Sequence, residues 1–317
     1  MPGEEQAMIL TVTLNPAVDE EYVVPEFRPG GWIRATKSSR SPGGKGINVS
    51  TLLAQFGYSS TAMGFLAGFN GEYIRHALRA FRITTNFVHI PGETRTNVYI
   101  IDDTGHVETG ISEAGPSVSP EAMERLRKVY RRILQRTRLV ILGGSLPPGA
   151  PEGIFGELVL LAKEKGIPTV VDAAGLPLMA ALDAGPNVVK VDHRFMSKVM
   201  GRSLTSLDNL IDVVSGFHEK GVEWAVVSYR TYGNVFFSPD GIFLALADRK
   251  SVRSIFSASD ALLAGLVVAR EEGMSTEDTI RFAMASAWEC AAHVGKGIQN
   301  RKAVEEYMPL VELEHLS

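Results

Sequence analysis

Cysteine is nearly absent from this chain, with Cys290 the single example in 317 residues. One thiol excludes a disulfide framework and points to a reducing, cytoplasmic setting. Its neighbours, Trp288 to Ala292, suit a buried and inert thiol. Apolar runs long enough for a membrane span are lacking, and the opening Met1 to Ala7 is short and acidic, so no membrane partner is expected. Neither sign of charge dominates. A net charge of −4 and a pI near 6.0 leave no electrostatic footprint for nucleic acid. The basic run Arg125 to Arg138 is amphipathic around Leu126, Val129, Ile133 and Leu134 and reads as the solvated face of a surface helix. The seven histidines (His76, His89, His106, His193, His218, His293, His315) lack metal-ligand spacing, which argues against a structural zinc. Internal repeats and low-complexity linkers are missing too.

What is present is ordinary globular material, 45% hydrophobic and 21% charged, long enough for one large α/β domain spanning 1–317. Met8 to Leu14 reads as a central strand stopping at Asn15 and Pro16, with Asp19 at its carboxyl end, where open α/β sheets place ligands; a turn carboxylate is the alternative. Glu20 to Val24 and Trp32 to Lys37 alternate like strands of a small antiparallel flap. Thr94 to Ile101 and His106 to Ile111 form a hairpin that completes it. Arg95 and Asn97, two apart on a strand, face one way and could grip one ligand or simply meet solvent.

Between these lies Ser41-Pro42-Gly43-Gly44-Lys45-Gly46, ahead of a helix over Ile47 to Phe56. Gly43, Gly44 and Gly46 allow close backbone approach and Lys45 puts a cation at a helix start. The spacing is not that of a Walker A loop, and a plain strand-to-helix turn would look the same. Downstream, strands at Thr61–Leu66, Asn86–Ile90, Leu139–Leu142, Thr169–Val171, Asn187–Val191 and Trp224–Ser228 alternate with helices at Asn70–Phe81, Ile154–Lys165, Leu176–Ala184 and Leu207–Glu219. That alternation predicts a mostly parallel, doubly wound sheet. Strands Val235–Ser238 and Ile242–Leu246 follow, and helices Thr276–Val294 and Lys302–Tyr307 close the chain.

The organising stretch is Ser257 to Arg270. Ser257, Ala258, Ser259 and Asp260 open an apolar helix whose first-turn N–H groups and dipole suit an anion, above all a phosphate. Asp260 is then a carboxylate able to take a proton from an attacking hydroxyl. An ordinary N-cap is the alternative.

Together, Thr13-Leu14-Asn15-Pro16-Ala17-Val18-Asp19, Pro42 to Val49, Thr94-Arg95-Thr96-Asn97, Gly144-Ser145-Leu146-Pro147-Pro148-Gly149 and Asp260 with Ala264-Gly265 resemble the ribokinase-like sugar kinases. The branch containing 1-phosphofructokinase and tagatose-6-phosphate kinase is the most similar, over about residues 8 to 310. The resemblance implies a three-layer α/β fold with a small β-sheet lid from about 16–38 and 94–112, through which two copies can pair. It implies transfer of the γ-phosphoryl group of ATP, with Mg2+, to a ketohexose phosphate. Asp260 would be the base, and Ser257, Ala258 and Ser259 the anion hole. Lys45 and Arg95 would meet the acceptor's phosphate, while Asp19, Gly43, Gly44, Asn48 and Asn97 hold the sugar. Lys190, Ser228 and Gly233 would face the nucleotide.

The chain departs from the family pattern on the nucleotide side. Ser257 and Ser259 replace glycines, Arg230 replaces another, and Asp192 with Phe195 stand where Asn and Glu organise Mg2+, leaving no metal ligand identified. A sugar-phosphate-binding relative with a decayed nucleotide site, or a kinase of an unphosphorylated sugar, is the competing expectation.

Overall fold

The computed structural model describes residues 7–105, 107–230, 233–247, 252–293 and 295–316. The chain enters β1 (Met8–Thr13), turns at Asn15 and Pro16, and runs at once into β2 (Ala17–Val24) and then β3 (Lys37–Gly43). α1 (Lys45–Gln55), β4 (Ser60–Leu66), α2 (Gly68–Ala80) and β5 (Thr84–His89) precede a hairpin of β6 (Arg95–Asp102) and β7 (Val107–Ser112). Alternation follows through α3 (Pro120–Leu134), β8 (Thr137–Gly143), α4 (Ile154–Lys163), β9 (Thr169–Asp172), α5 (Gly175–Ala184) and β10 (Val188–Val191). Beyond α6 (His193–Met200) and α7 (Leu207–Glu219), the strands β11 (Trp224–Tyr229), β12 (Gly233–Ser238) and β13 (Gly241–Leu246) lead to α8 (Ala258–Glu271). α9 (Thr276–Ala291), α10 (Arg301–Tyr307) and β14 (Glu312–His315) end the fold.

Among the described residues, ten strands form one sheet in the order β14-β13-β12-β11-β10-β9-β8-β1-β4-β5, parallel from β11 to β5 and antiparallel beyond. Both faces are buried, because successive strand residues point to opposite sides. Leu10 and Val12 pack with Val140 and Leu142 beneath α3, α4, α5 and α7. Ile9, pointing to the opposite face, joins Ile141, Val188 and Val226 beneath α1, α8 and α9. The result is the three-layer α/β architecture expected. Cys290 is fully buried, and that burial pushes its thiol up to about 12.

A second sheet has the order β3-β2-β6-β7, with β2 parallel to β6 and the other pairs antiparallel. Two expectations change here. The strand expected at Trp32–Lys37 is instead β3, and Trp32 lies fully exposed in the preceding loop. β3 begins Lys37-Ser38-Ser39-Arg40 and is largely exposed, so it carries no hydrophobic alternation; pairing with β2, from Val23 opposite Lys37 to Ala17 opposite Gly43, selects it. Asp19, expected at the end of β1, sits inside β2, because the Asn15-Pro16 turn hands the chain directly to the second sheet. α6 and β14 have no counterpart in the sequence pattern, β14 being a short, mostly exposed edge strand. The expected limits at His106 and Val294 fall outside the described residues.

α8 is buried along Asp260 to Ala269, and Gly265 lets α9 approach closely. A Cβ at Gly265 would collide with Ser286 Oγ and lie 3.1 Å from Ala283 Cα. Gly265→Val should therefore destabilise the fold by about 1–3 kcal/mol through overpacking, read as a lower urea midpoint with an unchanged m-value.

Candidate active site

The mouth of α8 faces the junction of the two sheets. Ser257 caps the helix in the left-handed region (φ 67°) without a side-chain capping bond, and its buried Oγ has no partner among the described residues. Holding a serine there costs on the order of 1–3 kcal/mol. The N–H groups of Ala258 and Asp260 turn back to the Ile255 and Ser257 carbonyls, as first-turn donors of a helix often do. Asp260 is buried. Its Oδ2 accepts from Asn48 Nδ2 at 2.7 Å, while Oδ1 accepts no hydrogen bond from the described residues and lies 3.6 Å from Lys45 Nζ.

From that carboxylate, one set of contacts leads across Lys45 toward β9 and β10. Lys45 Nζ donates to Asp172 Oδ2 at 2.9 Å. The same oxygen accepts from Lys190 Nζ at 3.1 Å, and Lys190 also donates to Ser259 Oγ. Asp172 comes from the end of β9 and Lys190 from β10, both buried. Burial opposes the charge on each member. The two ammonium groups nonetheless hold Asp172 below its ordinary pKa, and Asp172 with Asp260 holds Lys45 above its own. Lys190 is the exception, since burial leaves it below the usual lysine value.

A cavity of about 450 Å³ opens beyond Lys190 and Ser259, lined by Ser228, Arg230 and Gly233 and floored by Leu262, Met284 and Trp288. Ser228 Oγ accepts from the His193 N–H at 3.0 Å, tying β11 to the start of α6. Arg230 keeps a left-handed backbone (φ 52°) with its guanidinium over the Tyr229 ring. Arg230 and Ser257 thus both hold a left-handed backbone, the region glycine enters at least cost. Thr231 and Tyr232 of this loop lie outside the described residues.

A second set of contacts leads the other way. Asn48 Oδ1 accepts from Lys296 Nζ at 3.1 Å, and Lys296 also donates to Asp19 Oδ2 and, at 2.9 Å, to the Pro42 carbonyl. Asp19 Oδ1 accepts from Asn97 Nδ2 at 2.7 Å, and Asn97 Oδ1 accepts from Arg95 at 3.1 Å. Asp19, Asn48 and Asn97 are buried and Arg95 is half-buried. A Cβ at Gly43 would collide with the Asp19 carboxylate, so glycine there is what admits it. Gly44 takes φ 109° to cap α1, and Gly46 leaves room for Thr13 Oγ1, which accepts from the Ile47 N–H at 3.1 Å. Arg95 lines a cavity of about 550 Å³ with Asn15, Ser145, Leu146 and Glu152.

The structure therefore brings Asp260, Lys45, Asn48, Asp19, Asn97 and Arg95 into one continuous network, with Lys190 and Ser259 at its far end. Lys45, expected to meet the acceptor's phosphate together with Arg95, faces Asp172 and Asp260. Sequence reading missed Asp172 and Lys296. In the sequence Asp172 is only a carboxylate at a strand's end, and Lys296 carries no signal beyond its two flanking glycines.

The donor set does not fit a protein-held Mg2+. Asp192 turns back to cap α6 through the Arg194 N–H at 2.8 Å and pairs with the Arg194 guanidinium. Phe195 has no donor atom and lies exposed under Lys198. Among the described residues, no cluster of three or more potential metal-ligating side chains occurs.

A helix mouth holding a carboxylate, between a cavity reached through two lysines and a polar pocket roofed by a small sheet, defines a ribokinase-like small-molecule kinase. A model of pfkB family carbohydrate kinases matches residues 12–303. The 1-phosphofructokinase of Bacillus subtilis is 30% identical over 309 residues, 98% of this chain and 100% of that protein. That of Borreliella burgdorferi is 31% identical over 280 residues, 88% and 90% of the two chains. A solved structure described as a possible 1-phosphofructokinase from Thermotoga maritima superposes with a TM-score of 0.92 at 33% identity, covering 98% of this chain and 100% of that one. The chain belongs to the pfkB family of carbohydrate kinases and is a phosphofructokinase-like sugar kinase.

Because Asp172 lies below its ordinary value of 3.8, its contribution to stability is complete above about pH 4 and is lost as pH falls through the depressed pKa. Asp172→Asn, which takes the shared carboxylate from the buried Lys190 and leaves the half-buried Lys45 with Asp260 alone, should melt well below the wild type at neutral pH. The gap should narrow in thermal melts taken below about pH 4.

Proposed function

We propose that the chain transfers the γ-phosphoryl group of ATP to the free primary hydroxyl of a ketohexose that already carries a phosphate, with fructose-1-phosphate as the acceptor and Asp260 as general base. The observation that carries this reading is the Asp260 carboxylate itself. One oxygen is occupied by Asn48, and the other, buried, accepts no hydrogen bond from the described residues, which suits an atom that takes a proton from an acceptor hydroxyl. Both curated relatives above are named 1-phosphofructokinase, which favours fructose-1-phosphate over tagatose-6-phosphate.

In this reading Asp19, Asn48 and Asn97 hold the sugar hydroxyls, and the acceptor's own phosphate lies against Arg95 and Ser145 in the larger cavity. The nucleotide occupies the cavity between α8 and β12, its base on the apolar floor of Leu262, Met284 and Trp288. Lys45, beside the base rather than beside Arg95, meets the phosphoryl group in transit, and Lys190 meets the nucleotide phosphates. The acceptor oxygen attacks the γ-phosphorus in line, its proton passes to Asp260 Oδ1, and ADP leaves. A divalent ion such as Mg2+ would enter on the nucleotide's own phosphate oxygens.

The chain 1–317 works as one unit, with the four-stranded sheet as a lid and its outer face as the surface where two copies pair. The cytoplasm is its setting, consistent with a lone buried thiol and with no helix among the described residues being long and apolar enough to cross a membrane.

Asp260→Asn removes the proton acceptor and keeps the shape. It should lower kcat by about a hundred- to ten-thousand-fold while thermal shift with fructose-1-phosphate persists. A variant retaining more than about a tenth of wild-type ADP release would remove Asp260 from the role of base.

A further inference from the structure

We infer that Lys296 is a positioning and specificity residue of the sugar subsite: it locks Asp19 and Asn48 in orientation and cancels the Asp19 charge, so that the subsite admits an acceptor that is itself an anion. This rests on the phosphosugar reading above.

Lys296 is presented by a built loop. Gly295 and Gly297 on either side have φ of 109° and 99°, and a Cβ at Gly297 would lie 2.5 Å from Gln55 Nε2. The following residues are tied down at both ends, Ile298 N–H donating to Gln55 Oε1 at 2.9 Å and Gln299 N–H to Glu289 Oε1 at 3.1 Å. The lysine is thereby aimed inward over the Phe256 ring.

An ammonium has three donors, and Lys296 has three acceptors, each from a different element: Asp19 in β2, the Pro42 carbonyl in β3 and Asn48 Oδ1 in α1. The contact with Asn48 sets which way that amide faces. With Oδ1 taken by Lys296, Nδ2 is the end left for Asp260 Oδ2. The contact with Asp19 has a second consequence. A buried carboxylate beside a dianionic sugar phosphate is repulsive in a medium of low effective dielectric. Paired with Lys296, it still offers lone pairs to sugar hydroxyls and no longer adds net negative charge.

An uncharged acceptor needs no such cancellation, so the residue discriminates by acceptor charge. Lys296→Met keeps length and removes charge. In ADP-release assays it should raise KM for fructose-1-phosphate by about tenfold or more, and shift KM for ATP less than about twofold. In an Asp19→Asn background, where the charge to be cancelled is gone, the same substitution should raise the fructose-1-phosphate KM much less than it does alone. If both Michaelis constants rise together, or the Lys296 effect is equally large in the Asp19→Asn background, Lys296 is merely structural and the inference is overturned. Failure of wild-type protein to phosphorylate any ketohexose phosphate is a different result and removes the phosphosugar reading itself.

Discussion

A carboxylate buried at the start of a buried helix is costly unless neighbours hold it, and the hold on Asp260 is the constraint around which this site is arranged. Asn48 takes one oxygen and Lys45 stands beside the other. Both belong to α1, whose first turn begins where β3 of the small sheet ends in Gly43 and Gly44. α8 supplies the carboxylate from the far end of the chain. Residues over 200 positions apart in sequence are therefore brought together by the parallel sheet, with β1 and β8 central and α1 and α8 packed on the same face.

Two hydrogen-bonded chains of charge run outward from this point. Lys45, Asp172, Lys190 and Ser259 connect it to the apolar-floored cavity, and Lys296, Asp19, Asn97 and Arg95 connect it to the pocket lined by Asn15, Arg95 and Ser145. Buried charges in such a series are tolerable only because each has an opposite partner. The shifts follow from burial set against that pairing: Asp172 is pulled down by two lysines, Lys45 is pushed up by two carboxylates, and Lys190, lowered by burial and by the neighbouring Lys45, falls.

Much of this was legible in the sequence, for physical reasons. Apolar runs of four to seven residues alternating with helical periodicity announce a parallel sheet covered on both faces, and α7 falls on Leu207–Glu219 as expected. The glycine run at 43–46 and the small-polar start of α8 are local backbone signals, so Lys45 and Asp260, which the fold brings together, stand out in the sequence itself. What was not legible depends on pairing across space. β3 is a polar, exposed strand whose existence is decided by β2. Lys296 sits in a loop whose meaning comes from Gln55, Glu289 and Asp19, all distant in sequence. Lys45 stands out in the sequence as a cation at a helix start, but its partner Asp172 is visible only in the fold.

Ser257 and Arg230 lie at the mouth of α8 and on the wall of the cavity beside it. Each occupies a left-handed backbone position where the family pattern has glycine, a conformation that side-chain-bearing residues hold only at some cost. The most direct test of the whole account is ADP release by the wild-type protein with ATP across a panel of phosphorylated and free ketohexoses. Turnover with fructose-1-phosphate far above that with free fructose is the predicted result. Equal or faster turnover of the free sugar, or stabilisation by the phosphosugar without any ADP formed, would contradict it.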